Sequence, residues 1–286
     1  MCRFAVYLGA EIRASSLITE PVNSIIHQSF HSHERSEPLN GDGFGMAWYT
    51  PAPDEDPAVF KSTTPAWSNR NLREIARVIR TRCLLAHVRA ATPGLAVTDL
   101  NCHPFASGRL TFMHNGDLGG FQALRRRLLA GLSDEAFASI DGSTDSEHVF
   151  AILLDRLRAL KDDGDPTERL ARALEATIET VETLRREVAP DRPALLNLVV
   201  CDGERAVVTR YASDHVAANS LYFSTGRMYV CDRGLCHMQD EGAAHSAVIV
   251  ASEPLDESDR WSRVQPGHVV LVTPELRVST RPIELG

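Results

Sequence analysis

No stretch of the 286-residue sequence approaches the roughly 20 consecutive apolar residues that a membrane-spanning helix requires. The opening segment, Met1 to Leu8, is interrupted by Arg3 and is too short for a signal peptide, so we expect a cytoplasmic protein without a membrane partner. Basic residues are also scarce. The sequence has 30 lysines and arginines against 38 aspartates and glutamates, and the formal charge of −8 argues against a nucleic-acid partner.

Cysteines are few, and their spacing does not fit the common metal and redox motifs. The six cysteines include no Cys-x-x-Cys pair, and in a reducing compartment we expect all of them to be free thiols. Cys231, Cys236 and His237 are close in sequence but match no common zinc pattern, because no second pair completes the set. We therefore expect no metal site.

The sequence lacks internal repeats, low-complexity tracts and any segment long enough to link two domains. Residues 50–56 and 161–166 have the composition of exposed loops, so we expect residues 1–286 to form a single domain. Short strand-like runs alternate with amphipathic helical patterns, and several strands are apolar on both faces. Such strands belong in a sheet that is covered on each side, which predicts a layered α/β fold.

The periodicity also predicts individual elements. Strands are predicted over residues 3–8, 44–49, 83–89, 110–114, 195–200, 206–211, 221–224, 247–251 and 268–273, and helices over residues 71–80, 121–128 and 168–188. A further helix is predicted to begin near Asp145, because Thr144 and Glu147 have the spacing of a capping box.

Cys2 becomes the first residue of the mature chain if Met1 is removed, and it then carries a nucleophile and a base on one residue. The thiolate is the reactive form of cysteine, and a free α-amine titrates at about pH 7.7 to 8, close enough to neutrality to accept the thiol proton. The simpler interpretation is a buried strand cysteine near a chain terminus. Four other segments favour the catalytic interpretation.

These four segments follow Cys2 along the chain. They are Asn40-Gly41-Asp42-Gly43-Phe44-Gly45, Ala86-His87-Val88-Arg89-Ala90-Ala91-Thr92, His114-Asn115-Gly116-Asp117 and Ser143-Thr144-Asp145-Ser146-Glu147. With the leading cysteine, and in this order, they resemble the class II glutamine amidotransferases, whose glutaminase domain belongs to the N-terminal-nucleophile hydrolases. The resemblance implies an α/β (α+β) fold, a four-layer αββα sandwich in which helices cover two stacked antiparallel sheets.

The resemblance also implies roles for individual residues. Cys2 attacks the amide carbonyl, and the side-chain amide of Asn115 and the backbone N–H of Gly116 form the oxyanion hole. Arg89 binds the α-carboxylate of the glutamyl group and Asp145 binds its α-ammonium group, which selects free glutamyl compounds over peptide side chains. The implied partner is therefore a small-molecule γ-glutamyl substrate.

Asp42 and Thr92 complete the expected substrate pocket, with Asp42 orienting polar groups such as the N-terminal amine. The glycine-rich segment around Asp42 is not a phosphate-binding loop, since no Lys-Ser/Thr pair follows it, and we expect no cofactor. His87 is expected to be a packed histidine, because the α-amine makes a catalytic histidine unnecessary.

Each assignment has a simpler alternative. Asn115-Gly116 is a common hairpin-turn dipeptide, and Arg89 could instead form an internal ion pair. An acid such as Asp145 in the first turn of a helix is favoured by the helix dipole without any ligand.

Ala90 stands where many synthase-linked members of the family carry tryptophan, and the chain has no room for a synthase domain. Both features resemble the stand-alone branch of the family, which includes the ergothioneine-pathway γ-glutamyl hydrolase and the amidotransferase-like subunit of the glutathione-degrading complex. We therefore predict hydrolysis of glutamine or a γ-glutamyl conjugate. The alternatives are a glutaminase subunit that supplies ammonia to a separate synthase and a non-catalytic regulatory subunit. A homo-oligomer or a partner hydrolase subunit is compatible with each of them.

Overall fold

The computed structural model describes residues 2–34, 39–52, 54–91, 96–161, 164–214, 216–232, 234–239 and 246–286. Within these ranges the chain forms two large antiparallel sheets and one two-stranded hairpin sheet. Every helix in the same ranges is too short or too polar to cross a bilayer.

The strands are short and mostly buried. In chain order they are β1 (Arg3–Arg13), β2 (Phe44–Trp48), β3 (Ala58–Ser62), β4 (Arg80–Val88), β5 (Phe105–Ser107), β6 (Leu110–Asp117), β7 (Leu195–Cys201), β8 (Ala206–Arg210), β9 (Tyr222–Gly226), β10 (Met228–Asp232), β11 (Leu235–Gln239), β12 (Ala247–Ala251), β13 (Ser262–Arg263), β14 (His268–Val272) and β15 (Val278–Pro282). One sheet has the order β13-β9-β12-β1-β4-β2-β3, the other has the order β15-β14-β8-β7-β6-β5, and β10 pairs with β11.

The helices lie between the strand segments in sequence. They are α1 (Ser15–Ile18), α2 (Ile25–Gln28), α3 (Arg70–Val78), α4 (Phe121–Ala130), α5 (Asp134–Ala138), α6 (Asp145–Ala159) and α7 (Pro166–Val188). Thr144 caps α6, and its side chain accepts a hydrogen bond of 3.2 Å from the N–H of Glu147, so the predicted start of this helix is confirmed.

The side chains of β1 explain the layering, because they alternate between two apolar surroundings. Phe4, Val6 and Leu8 are buried in a core between the two large sheets, whereas Ala5 and Tyr7 belong to a second core beneath α1, α2 and α3. A third core joins the other face of the second sheet to α4, α6 and α7. The four layers are therefore helices, sheet, sheet and helices, and the αββα prediction is confirmed.

Several elements differ from the predicted ones. β6 continues to Asp117, beyond its predicted end at His114, because β7 pairs with every residue from Thr111 to Asp117. α7 begins at Pro166, two residues before its predicted start. The structure also contains β3, the β10–β11 hairpin and the short helices α1 and α2, which periodicity did not predict.

The β10–β11 hairpin carries a disulfide between Cys231 and Cys236. The two residues are directly opposite each other in the hairpin register, which brings their Cβ atoms within reach of a disulfide. The expectation that all six cysteines are free thiols was therefore wrong for this pair.

Two other cysteines meet between the large sheets. Cys83 on β4 and Cys201 on β7 are buried, and their Sγ atoms lie 3.5 Å apart as thiols in hydrogen-bond contact. Burial raises the pKa of the Cys83 thiol well above its ordinary value, and the neighbouring Cys201 raises it further.

Candidate active site

Cys2 lies at the start of β1, at one end of the central strands of the first sheet. The register pairs Arg3 with Val88, so Cys2 is opposite Arg89 at the end of β4. The Cys2 side chain is buried, and its Sγ lies 3.8 Å from the carbonyl oxygen of Ala90. The motif cysteine and the motif arginine are therefore cross-strand neighbours, as the resemblance requires.

A buried ion pair holds Arg3, the residue that follows Cys2. Arg3 Nε lies 2.6 Å from Glu253 Oε1, both side chains are almost fully buried, and Arg3 Nη1 donates 2.9 Å to the carbonyl oxygen of Cys2. Burial alone would raise the pKa of the Glu253 carboxyl, but hydrogen bonds from Ser32 and from the His33 N–H, and the charge of Arg3, hold that pKa below its ordinary value. Glu253 is thus an ionised acid that fixes Arg3, and Arg3 fixes the Cys2 backbone.

Asn115 and Gly116 lie inside β6, opposite Asn197 and Leu196 of β7. They are part of a continuous strand, so the alternative of a hairpin turn is wrong. A side chain on Gly116 would place its Cβ 1.7 Å from the carbonyl oxygen of Leu195, which requires glycine through close approach rather than an unusual φ angle.

Ser252 joins the oxyanion-hole candidate to the strand of the nucleophile. Its Oγ accepts a hydrogen bond of 3.1 Å from the N–H of Phe4 and another of 3.3 Å from Nδ2 of Asn115. Asn115 is fully buried, and its Oδ1 has no hydrogen-bond partner among the described residues. This serine therefore fixes the amide of Asn115 from one side only.

Arg89 is buried at the end of β4, and Asp42 shapes its surroundings. Within the described ranges, the Arg89 side chain makes one long hydrogen bond, 3.4 Å from Nη1 to the carbonyl oxygen of Asp42, and no ion pair. The Asp42 carboxylate instead accepts 2.8 Å from the N–H of Ala91. The alternative of an internal ion pair is not observed in the part of the chain that the structure describes, and a buried guanidinium of this kind favours an anionic ligand.

Asp145 forms the first turn of α6 and is buried. Its Oδ2 accepts 2.8 Å from the N–H of Leu118 and its Oδ1 accepts 2.8 Å from the N–H of Ser146, so the local structural role is real. Desolvation raises the pKa of Asp117, and the negative charge of Asp145 raises it further. Two acids therefore lie near each other beside Gly116, where a positive group would be stabilised.

His87 and His103 are buried, packed side chains. Burial lowers the pKa of His87 to about 3. A hydrogen-bond contact of 3.2 Å between its Nε2 and the carbonyl oxygen of His114 acts in the opposite direction and raises the pKa. Burial also lowers the pKa of His103 well below its ordinary value, and the two rings lie 4.2 Å apart between centroids. His87 links β4 to β6, and so it connects the sheet of Cys2 to the sheet of Asn115.

The structure brings most of the predicted site residues to one end of the two sheets, and Thr92 lies outside the described residues. Sequence reasoning assigned no role to Arg3, Ser252 or Glu253. The sequence does contain a pattern that could have indicated the pair of Arg3 and Glu253. The two residues carry opposite charges and each lies next to an apolar strand segment, which is typical of a buried cross-strand pair.

Comparisons with known proteins agree with this geometry. The family model described as "Glutamine amidotransferases class-II" matches residues 16–281. The probable glutamine amidotransferase DUG3 of Saccharomyces cerevisiae is 39% identical over 303 residues, which cover 99% of this chain and 84% of the yeast protein. The gamma-glutamyl-hercynylcysteine sulfoxide hydrolase of Mycobacterium tuberculosis is 27% identical over 274 residues, which cover 96% of this chain and 93% of that protein.

A solved structure supports the same assignment over the whole fold. The glutamine aminotransferase class-II domain protein from Silicibacter pomeroyi aligns with a TM-score of 0.65 and 30% identity, and the alignment covers 99% of each chain. The matched family model, the yeast relative and this fold agree with the motifs that surround Cys2. The chain is a member of the class II glutamine amidotransferases.

Proposed function

We propose that this protein is a cysteine amidohydrolase that cleaves the γ-glutamyl amide bond of a γ-glutamyl conjugate and releases glutamate. The observation that carries the proposal is the position of the buried Cys2 thiol, 3.8 Å from the carbonyl oxygen of Ala90. Ala90 directly follows Arg89, whose buried guanidinium makes no ion pair among the described residues. A nucleophile and an unused carboxylate-binding group at one strand end fit an amino-acid-like substrate.

The reaction begins when removal of Met1 exposes the α-amine of Cys2. The amine takes the thiol proton, and the thiolate attacks the δ-carbonyl carbon of the glutamyl group. The tetrahedral intermediate collapses to a thioester as the protonated amine passes its proton to the leaving nitrogen. Water, deprotonated by the same amine, then attacks the thioester, and glutamate leaves.

The oxyanion of each tetrahedral intermediate is held by Asn115 and Gly116. The side-chain amide of Asn115 has two N–H groups, and Ser252 accepts one of them at 3.3 Å. The second N–H is then fixed in direction and can donate to the oxyanion together with the backbone N–H of Gly116.

Two opposite charges orient the amino-acid end of the substrate. Arg89 binds the α-carboxylate through parallel N–H donors, and Asp145 binds the α-ammonium group, helped by the nearby charge of Asp117. Asp42 holds the backbone after Arg89 through the N–H of Ala91. We assign no contact to Thr92 beyond its expected place in the pocket.

The leaving-group side is expected to accept more than ammonia, because Ala90 is small where synthase-linked relatives have tryptophan. The mycobacterial relative is named as a hydrolase of a γ-glutamyl conjugate. Extra contacts with a larger leaving group lower the barrier when they strengthen in the transition state.

The test is glutamate release from glutamine, glutathione and other γ-glutamyl amides by protein whose intact mass shows the loss of Met1. We expect a conjugate to exceed glutamine in kcat/KM and Cys2→Ser to abolish activity. Cys201→Ser is the matched control, because it makes the same change at a buried thiol whose contact is with Cys83. Full activity in Cys2→Ser refutes the mechanism. If glutamine is the best substrate and activity rises only with an added synthase, the protein is an ammonia-supplying subunit.

A further inference from the structure

We propose that His27, His31 and His33 form a binding site for one divalent transition-metal ion, of the class of Zn²⁺ or Co²⁺. The three rings are mutual neighbours at the surface beside α2. Their centroids are 5.2 Å apart for His27 and His31, 5.5 Å for His31 and His33, and 6.5 Å for His27 and His33.

These separations are close to those of three imidazoles around a single ion. With metal–nitrogen bonds of about 2.1 Å and tetrahedral angles, ring centroids lie roughly 5.3 Å apart. Two of the three pairs already have this spacing. The third pair is about 1 Å too wide, and the three ring nitrogens do not yet all lie within 4.8 Å of one another. Metal binding therefore requires rotation of the side chains, which the exposed positions of His31 and His33 allow.

His27 has the tautomer that a metal ligand needs. Asn23 is buried, and its Nδ2 donates 2.7 Å to the carbonyl oxygen of Pro254, which turns Oδ1 towards His27. The Nδ1 of His27 lies 3.3 Å from that oxygen, so Nδ1 carries the proton and Nε2 keeps its lone pair. An oxygen acceptor on the second ring nitrogen is the usual orienting partner of metal-bound histidine.

The surrounding charge favours a cation. A cavity of about 320 Å³ is lined by His27 and His33 together with acidic residues, namely Glu34, Glu253, Asp256 and Glu257. Desolvation lowers the pKa of His27, the neighbouring His31 and His33 lower it further, and the charge of Glu253 acts in the opposite direction.

A competing site must be distinguished. Within the described residues, Glu20, Cys231 and Cys236 are the group of three whose ligand atoms already lie within 4.8 Å of one another. Two of its members are joined in a disulfide, so they bind no metal unless the disulfide is reduced. Its ligands would be two sulfur atoms and a carboxylate oxygen, whereas the histidine site is built from nitrogen, so the two sites give different spectra.

The experiment is titration of metal-free, disulfide-intact protein with Co²⁺, followed by visible absorption and by metal analysis after gel filtration. We expect one ion per chain, a tetrahedral or five-coordinate d–d spectrum, and no sulfur-to-cobalt charge-transfer band. His31→Ala and His33→Ala, both at exposed positions that leave the fold intact, should each weaken binding at least about 10-fold. His268→Ala, a histidine of the other sheet, should leave it unchanged.

Two further variants separate the outcomes. Cys2→Ala should keep the ion, which excludes chelation by the N-terminal cysteine, and Asn23→Asp should keep or tighten binding because a carboxylate orients His27 as the amide does. The proposal is overturned if the wild type takes up no ion, or if the affinity survives in the His31→Ala/His33→Ala double variant. A strong charge-transfer band also overturns it, since the ion would then be bound by sulfur.

Discussion

Gly116 occupies a position where the backbone of the neighbouring strand leaves no room for a side chain. Its Cβ would lie 1.7 Å from the carbonyl oxygen of Leu195, a fixed backbone atom rather than the end of a flexible side chain. Position 116 therefore combines a structural requirement with the backbone N–H that the proposed mechanism uses.

We expect Gly116→Ala to lower the free energy of unfolding by about 1–3 kcal/mol or more, because β6 and β7 must separate to admit the methyl group. Urea denaturation measures the loss. Gly131→Ala is the control, since a Cβ at that position meets no atom closer than 3.6 Å. Equal stability of the two variants would contradict the close approach.

Asn115 and Arg89 should affect different kinetic constants. Asn115→Ala removes a donor that acts mainly in the transition state, so we expect kcat to fall on the order of 100- to 1,000-fold with a small change in KM. Arg89→Lys keeps the charge but loses the paired donors, so its effect should fall mainly on KM. Steady-state kinetics on one substrate decide between this pattern and its reverse, which would exchange the two roles.

At the scale of elements, β1 lies between β12 and β4. Its first residue, Arg3, is buried and forms an ion pair with Glu253. Breaking a buried pair leaves a charge without its partner, which costs more than replacing both residues together. The loss of stability should extend to the start of β1, because Arg3 also donates a hydrogen bond to the carbonyl oxygen of Cys2.

Glu253→Gln should therefore destabilise the protein by about 3–5 kcal/mol, and the Arg3→Met/Glu253→Gln double variant should lose less than the sum of the two single changes. Chemical denaturation of the four proteins gives the coupling energy. The sum would be additive if the ion pair made no contribution.

The elements show what sequence patterns could and could not predict. The long amphipathic α7 and the apolar strands β7, β8 and β12 follow from periodicity, since burial of one or both faces decides their residue types. The end of β6 could not be predicted from periodicity, because Asn115-Gly116 has the local preference of a turn. These two residues are part of the strand only through their pairing with β7. The disulfide between Cys231 and Cys236 also could not be predicted from the sequence pattern, since the residues that face each other in a hairpin depend on its register.

At the scale of the whole molecule, the site is assembled from both sheets. The resemblance to the family predicted Cys2, Arg89, Asn115 and Asp145 one by one, each from its own motif. The connections among them, through Ser252 and His87, depend on how one sheet stacks on the other. Sequence spacing carries no information about that stacking.

The stacking also predicts a loss of stability in acid. The pKa of His87 is about 3 in the folded protein, against 6.5 for an ordinary histidine. Below about pH 6.5 the unfolded chain binds a proton that the folded chain does not, so stability falls as the pH decreases from about 6.5 towards about 3. His103 acts in the same direction, because burial lowers its pKa too.

Each of these two histidines should contribute a slope of up to about 1.4 kcal/mol per pH unit in this window. Urea unfolding at a series of pH values measures it. His103→Phe should reduce this slope by up to about 1.4 kcal/mol per pH unit, which corresponds to one proton. His268→Gln, at a more accessible position, should change the slope little. An unchanged slope in His103→Phe would mean that this histidine is already protonated in the folded protein.

The facing thiols of Cys83 and Cys201 can report how often the two sheets separate. Both are sealed between the sheets, and the raised pKa of Cys83 keeps it in its unreactive protonated form. An alkylating reagent can reach them only when the two sheets part, so their labelling rate in the native protein counts those openings. Their position between the sheets also protects them from reagents directed at Cys2, the proposed nucleophile.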